Sequence, residues 1–335
     1  MKKLKAAIIG LGVGEQHIKG YNSHPDCEVV AICDFDKDKL GLIGNKYPEL
    51  KQITEAHDII NDPAIDIISI ASYDNFHYNQ IIETLLNNKH VFVEKPVCLY
   101  QSEAKHIHSI LKQKTELKLS SNLILRMSPR FCTLKQQIED SELGELFYIE
   151  GDYNYGRLNK ITDGWRGEID FYSVVYGGGV HIIDLFLWLT GDLVTNVASF
   201  GNNISSKHSK YKYNDIVVCI LKFKSGMVGK MSVNFGCVYP HFHALSVYGT
   251  KATFQNTMKE GLFFSSRDPN VQAKKIYSKY PGIHKGDLII NFIDSILYNS
   301  KPVVSSYDVF NTMAVCFAIE KAIHTSSYVA VEYFK

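Results

Sequence analysis

An apolar strand that runs straight into a glycine-rich turn leaves few folds open to a chain. Residues Leu4 to Ile9 read as a continuous buried strand. Gly10-Leu11-Gly12-Val13-Gly14 follows, then a helix from about Glu15 to Asn22 and a second apolar strand, Glu28 to Cys33, ending in Asp34. Strand, glycine turn, helix and strand with a terminal acid is the pattern of a dinucleotide-binding βαβ unit. Glycines let the backbone approach a pyrophosphate, the helix N-terminus offers N–H groups and a positive dipole end, and the acid accepts from a ribose diol. The turn departs from G-x-G-x-x-G, because Glu15 stands where the third glycine belongs and Gly14 takes the helix-packing role. A carboxylate aimed at pyrophosphate would repel it, so Glu15 is expected to face solvent. Asp34 favours a free 2′-hydroxyl over a 2′-phosphate, and the residue after it is Phe35, not an arginine. NAD is therefore expected over NADP, with Lys37 and Lys39 the only nearby cations that argue the other way.

The same alternation continues. Ile53 to Asn61 reads as a short helix, Ile65 to Ala71 as a strand, and Tyr78 to Asn87 as a helix behind the polar mouth Ser72 to His77. Val91-Phe92-Val93 is a short core strand that stops at Glu94-Lys95-Pro96. Charge at the end of such a run is costly to desolvate unless something uses it, and proline forces the chain to turn there. A helix from about Ser102 to Lys114 and a strand from Leu117 to Asn122 complete the pattern. Ligands of doubly wound sheets bind beyond the carboxyl ends of the strands, which places Gly10, Asp34, Ser72, Lys95 and Asn122 on one edge. Lys95 is expected where a cofactor-binding half meets a substrate-binding half.

After Asn122 the character changes. A helix, Pro129 to Asp140, leads into strands without helices between them: Leu146 to Tyr155, Val194 to Asn202, Ile216 to Phe223, Met227 to Phe235, Ala244 to Tyr248, Thr253 to Asn256 and Leu262 to Ser265. Ser225-Gly226 makes a hairpin of two of them. Helices from Asp287 to Tyr298 and Tyr307 to His324 follow. With 335 residues, more than one core usually organises, the expected fold is α/β: a Rossmann doubly wound parallel sheet over 1–122 and an α+β domain with a large open, mostly antiparallel sheet over 123–335. Ile216 to Leu221 is apolar at consecutive positions, so both faces of that sheet are expected to be covered, one by helices and one by another subunit.

Composition narrows the function. A net charge of +1 with scattered signs gives no nucleic-acid footprint and no anionic-membrane surface, and no apolar run has the length of a bilayer span. The basic start lacks a signal-peptide pattern. Seven widely spaced cysteines without a C-x-x-C pair read as reduced thiols of a cytoplasmic protein with no metal site.

A second constellation lies in Tyr176-Gly177-Gly178-Gly179-Val180-His181, the head of a helix that is apolar nearly all round. His181, Asp184 and Trp188 share one helical face. A histidine in the first turn behind a glycine run, near an acid, is a place where proton transfer is plausible, against the plainer reading of a core histidine. Trp165 and Arg166, and Tyr239, His241 and His243, are further candidates for lining a pocket.

Taken together, Gly10-Leu11-Gly12, the Asn75/His77 segment, Glu94-Lys95-Pro96, and Asn122 followed by Arg126-Met127-Ser128-Pro129-Arg130-Phe131 resemble the Gfo/Idh/MocA family over essentially the whole chain. The resemblance implies an NAD-dependent oxidoreductase acting on a secondary hydroxyl of a sugar, cyclitol or nucleotide-linked sugar, assembled as a homo-oligomer through its second sheet. It implies a cis Lys95–Pro96 peptide and Lys95 and His181 as catalytic residues. Cofactor contacts are expected from Gly10, Gly12, Val13, Gly14, Asp34, Ser72, Asn75, His77, Glu94, Lys95 and Pro96. Substrate contacts are expected from Asn122, Arg126, Trp165, Arg166 and Asp184. One departure stands out: many relatives carry an aspartate four residues before the histidine, where this chain has Gly177. Tyr176, Asp170 or Tyr172 are left to supply that polar group. A ligand-binding regulator of the same fold, without catalysis, is the rival reading.

Overall fold

The computed structural model describes residues 3–334 and forms two compact units, each with its own sheet. One unit holds the chain up to Ile124 together with His284–Phe310. Its sheet has six parallel strands, β1 (Leu4–Ile9), β2 (Cys27–Cys33), β3 (Lys51–Ile53), β4 (Ile67–Ile70), β5 (His90–Val93) and β6 (Leu119–Ser121), in the order β3-β2-β1-β4-β5-β6. The direction of winding reverses between β1 and β4, the place where such sheets bind ligands. Ala6 to Ile9, Ile67 to Ile70 and Val91 to Val93 are buried throughout, because helices cover both faces of a parallel sheet.

Residues Ile53 to Asn61, expected as one helix, divide into the end of β3 and the helix Ala56–Ile60. Lys51 and Gln52 are exposed in β3, so this edge strand carries no apolar pattern to betray it. The helix Asp287–Leu297 packs in this first unit although it comes late in the chain. A Cβ on Gly20 would lie 2.9 Å from Gly286 Cα, and Phe292 meets Phe92 at 5.6 Å between ring centroids.

The other unit comprises Leu125–Ile283 and Asn311–Tyr333. Its sheet contains β7 (Leu146–Asn154), β8 (Val194–Asn202), β9 (Ile216–Phe223), β10 (Val228–Asn234), β11 (Phe242–Gly249), β12 (Thr253–Asn256), β13 (Gly261–Phe264), β14 (Lys274–Ile276) and β15 (Val329–Ala330). The order is β14-β13-β12-β11-β7-β10-β9-β8-β15, antiparallel except for the parallel β7–β10 pair. One face carries the buried helix Val180–Thr190, whose Ile182 and Phe186 fill the space a side chain at Gly151 would need. On the other face Phe200, Val218 and Ile220 are exposed, so the apolar run in β9 alternates between core and surface. No helix among the described residues is long and apolar enough to cross a membrane.

Behind the glycine run, Ser173 Oγ accepts from the N–H groups of Val175 (3.0 Å) and Tyr176 (3.3 Å) and donates to Glu320. Burial pushes the Glu320 carboxyl up, with the Ser173 bond and His324 offsetting only part of the effect. A carboxyl whose folded pKa is raised binds protons more tightly in the native state, so its stabilisation is present below the unfolded carboxylate range and is lost as pH rises through the folded value. Glu320→Gln keeps a partner for Ser173 and does not titrate. Thermal melts should therefore show wild type losing stability relative to E320Q as pH rises from acid toward neutral. A constant difference across that range would contradict this account of Glu320.

Candidate active site

Three different requirements build the glycine turn. Gly10 has φ of +87°, and a Cβ there would collide with the Ala71 carbonyl. A Cβ on Gly14 would lie 2.8 Å from Ile8 Cγ2, so glycine there lets the helix Gly14–Asn22 sit down on β1. At Gly12 a Cβ would meet nothing within 4 Å, and with Val13 at the N-cap the start of that helix is open to an approaching anion. Glu15 stays clear by pairing with Lys46 at 2.8 Å. Asp34 is buried and accepts from the N–H of Leu11 (2.8 Å) and of Asp36 (3.0 Å), with Lys39 Nζ at 3.6 Å. Its carboxylate thus ties the end of β2 to the turn. The exposed Phe35 ring stands edge-on to Tyr73 at 5.7 Å.

Further along the same sheet edge, His77 is buried with Nδ1 2.7 Å from the Pro96 carbonyl and Nε2 3.2 Å from that of Ser72, which staples together the turns after β4 and β5. Ser72 Oγ donates to Gln80 at 2.7 Å, and Asn75 is exposed on the short turn Asp74–Phe76. The Lys95–Pro96 peptide is cis, as the resemblance implied. Glu94 is buried, with His17 Nε2 3.3 Å from its Oε1 and Asn122 Nδ2 donating to the same oxygen at 2.6 Å. Burial alone would raise the Glu94 carboxyl, but the charge of Lys285, the hydrogen bond and charge of His17, and the charge of Lys95 hold it well below the usual carboxylate range.

Several polar residues expected at the substrate have their side chains in the interior. Asn122 is fully buried and donates to Glu94 and to the Lys285 carbonyl at 3.1 Å. Arg126 and Asp184, 3% and 1% exposed, form a bidentate pair with Nη2–Oδ1 at 2.6 Å and Nε–Oδ2 at 2.9 Å. Thr312 Oγ1 adds a bond to Asp184 at 3.4 Å.

In the second unit His181 lies in the first turn of the helix Val180–Thr190, preceded by a π-turn over Val175–Gly179. Its ring stacks on Tyr153 at 6.1 Å and stands edge-on to His243 at 6.4 Å. Tyr155, Phe235 and His241 continue this wall, and His243 Nδ1 lies 2.7 Å from the Tyr280 hydroxyl. Burial pushes the Tyr153 hydroxyl far up, so it exchanges hydrogen bonds, not protons, near neutral pH. The glycine run is a packing device. A Cβ at Gly178 would lie 2.7 Å from the Tyr153 ring, and at Gly177 it would need the space held by the Tyr172 hydroxyl. Arg166 covers the Trp165 ring at 4.4 Å and the Tyr172 ring at 5.8 Å, and the two rings stand edge-on at 6.3 Å. Sequence reasoning missed His17, Lys285 and Tyr153, whose partners lie far off along the chain.

A parallel sheet with an NAD-type glycine turn, joined in one chain to an α+β unit bearing a histidine in an aromatic wall, defines a dinucleotide-dependent oxidoreductase. Residues 4–122 match the family model described as "Oxidoreductase family, NAD-binding Rossmann fold", and residues 131–255 match "GFO/IDH/MocA C-terminal domain". The chain belongs to the GFO/IDH/MocA oxidoreductase family. It is 24% identical to the myo-inositol 2-dehydrogenase of Thermotoga maritima over 98% of this chain and 99% of the relative. It is also 24% identical to the scyllo-inositol 2-dehydrogenase (NAD(+)) of Bacillus subtilis over 75% and 73%. A levoglucosan dehydrogenase solved with NADH has the same fold, with a TM-score of 0.88 at 19% identity over 99% of this chain and 100% of that one.

Gly177→Ala is expected to cost about 1–3 kcal/mol by driving its methyl group into the Tyr172 hydroxyl. Adding Tyr172→Phe should return part of that loss in urea melts, the ring carbon still lying 2.7 Å away, and so give a non-additive double-mutant cycle. Additive effects would show that the two residues do not share that space.

Proposed function

We propose that this protein is an NAD-dependent dehydrogenase that oxidises a secondary hydroxyl on a cyclitol or sugar ring. The observation that carries this reading is the presence, in one chain, of the Gly10–Asp34 cofactor turn and of an imidazole set in an aromatic wall. Flat aromatic faces suit the C–H faces of such rings, and the curated relatives named above include dehydrogenases of inositols. Asp34 and the neighbouring Phe35 favour a cofactor without a 2′-phosphate; Lys39 beside Asp34 is engaged with that carboxylate.

Bound NAD supplies the hydride acceptor. His181 takes the proton from the substrate hydroxyl, a task suited to an imidazole near neutral pH. Lys95 donates a hydrogen bond to the same oxygen and stabilises its alkoxide character. Tyr172, whose hydroxyl fills the place of a side chain at Gly177, takes the polar role that the glycine cannot. Trp165 and Arg166 close on Tyr172 and present the ring to His181, while Arg126, Asp184 and Asn122 support the site from the interior.

Free thiols at all seven cysteines fit a reducing cytoplasm. The exposed strip Phe200, Val218 and Ile220 takes a second copy of the chain. Sedimentation should return a multiple of the 37.9 kDa chain mass, and Ile220→Glu should lower it. A monomer under all conditions would refute the assembly.

A panel of inositols and hexoses, followed by nicotinamide absorbance, tests the activity. NAD reduction by at least one ring polyol is expected, and Lys95→Ala and His181→Ala should each lower kcat by about 10²–10⁴-fold with NAD affinity little changed. Binding of a polyol with no turnover would identify a regulator, and full turnover in both variants would remove Lys95 and His181 from the mechanism.

A further inference from the structure

The first unit contains a chain of buried polar groups that the reaction as described does not use. Ser69 Oγ on β4 lies 3.0 Å from His17 Nδ1, His17 Nε2 lies 3.3 Å from Glu94 Oε1, and Asn122 Nδ2 donates to that same oxygen at 2.6 Å. Each of these side chains is buried, and the chain ends on the Lys285 carbonyl, 3.1 Å from Asn122. It joins the helix that begins at the glycine turn to the ends of β4, β5 and β6. A core could have been built more simply from apolar side chains.

Its position shows what it does. Glu94 is the last residue held in the sheet, its N–H donating to the Ile70 carbonyl at 2.8 Å, and the next residue is Lys95. Anchoring Glu94 to the His17 helix and to Asn122 therefore fixes the backbone from which Lys95 emerges, just before the cis Lys95–Pro96 peptide. The ionisable groups facing Glu94 are His17 from the helix, Lys285 from the segment before Asp287 and Lys95 beside it; Asn122 supplies a neutral donor from the end of β6. A carboxylate so held is a fixed negative charge next to the lysine.

We infer that His17, Glu94 and Asn122 are positioning residues for Lys95, fixing where it leaves the sheet and placing a permanent negative charge beside its ammonium group. The inference rests on Lys95 serving in the proposed reaction, and it adds two buried residues, His17 and Asn122, to those that set its position.

The test reads Lys95 directly. Protein labelled with ¹³C at lysine Cε and saturated with NAD is titrated by NMR, the Lys95 signal being the one lost in Lys95→Arg. Glu94→Gln keeps the shape and removes the charge, and it should lower the Lys95 midpoint by about half a pH unit or more. His17→Phe, which removes the donor that fixes the carboxylate, should displace the Lys95 signal, and His17→Gln, which keeps a donor, should restore it. In turnover, E94Q should lower kcat roughly tenfold with KM little changed and move the basic limb to lower pH. A part that merely stiffened the fold would change melting temperature and leave midpoint and pH profile alone. Unchanged midpoints in E94Q overturn the inference; should E94Q fail to fold, an unchanged Lys95 signal in His17→Phe does so. Full turnover in K95A would instead sink the catalytic role of Lys95 while leaving the titration result standing.

Discussion

An ionised carboxylate inside a parallel sheet survives only if fixed partners replace its water. Glu94 meets that demand with His17, Asn122 and the charges of Lys285 and Lys95. Those partners come from the helix after the glycine turn, from the neighbouring strand end and from a segment that returns late in the chain. Satisfying one charge therefore fixes several elements at the carboxyl edge of the sheet. The same edge is held by Asp34, which accepts from the Leu11 N–H, and by His77, which spans the carbonyls of Ser72 and Pro96. Polar groups here do structural work first, and they leave the turn open at Gly12.

The second unit solves a different problem, which is how to bring a histidine into an apolar wall without losing packing. Three glycines in succession let the helix start close against Tyr153, Met231 and the Tyr172 hydroxyl. The Arg126–Asp184 pair sits deeper on the same helix, where each charge neutralises the other. Losing either partner would strand the other in the interior, a larger penalty than the pair contributes when intact.

Much of this was legible in the sequence where apolar patterning is dense. Val194–Asn202 and Ile216–Phe223 read as strands over their full extent, and the glycine turn with Asp34 pointed to its fold unaided. β3, β14 and β15 escaped because two or three residues, partly exposed, carry no period. Distant partnerships such as Gly20 with Gly286, or His17 with Glu94, leave no local mark because the fold alone brings them together. Gly177 read as a missing acid; in the structure it is the space another residue fills. Asn122, Arg126 and Asp184 read as substrate residues because they are polar and match a motif; their bonds to Glu94, to the Lys285 carbonyl and to each other are partnerships that the local sequence does not reveal.

The central claim is direct hydride transfer from a ring carbon to nicotinamide, and isotope transfer measures it. The polyol that best reduces NAD would be deuterated at its carbinol carbons and incubated with enzyme and NAD, and the recovered nucleotide read by NMR. Deuterium at nicotinamide C4 is the predicted result. Absence of the label there with every polyol the protein binds would contradict the account.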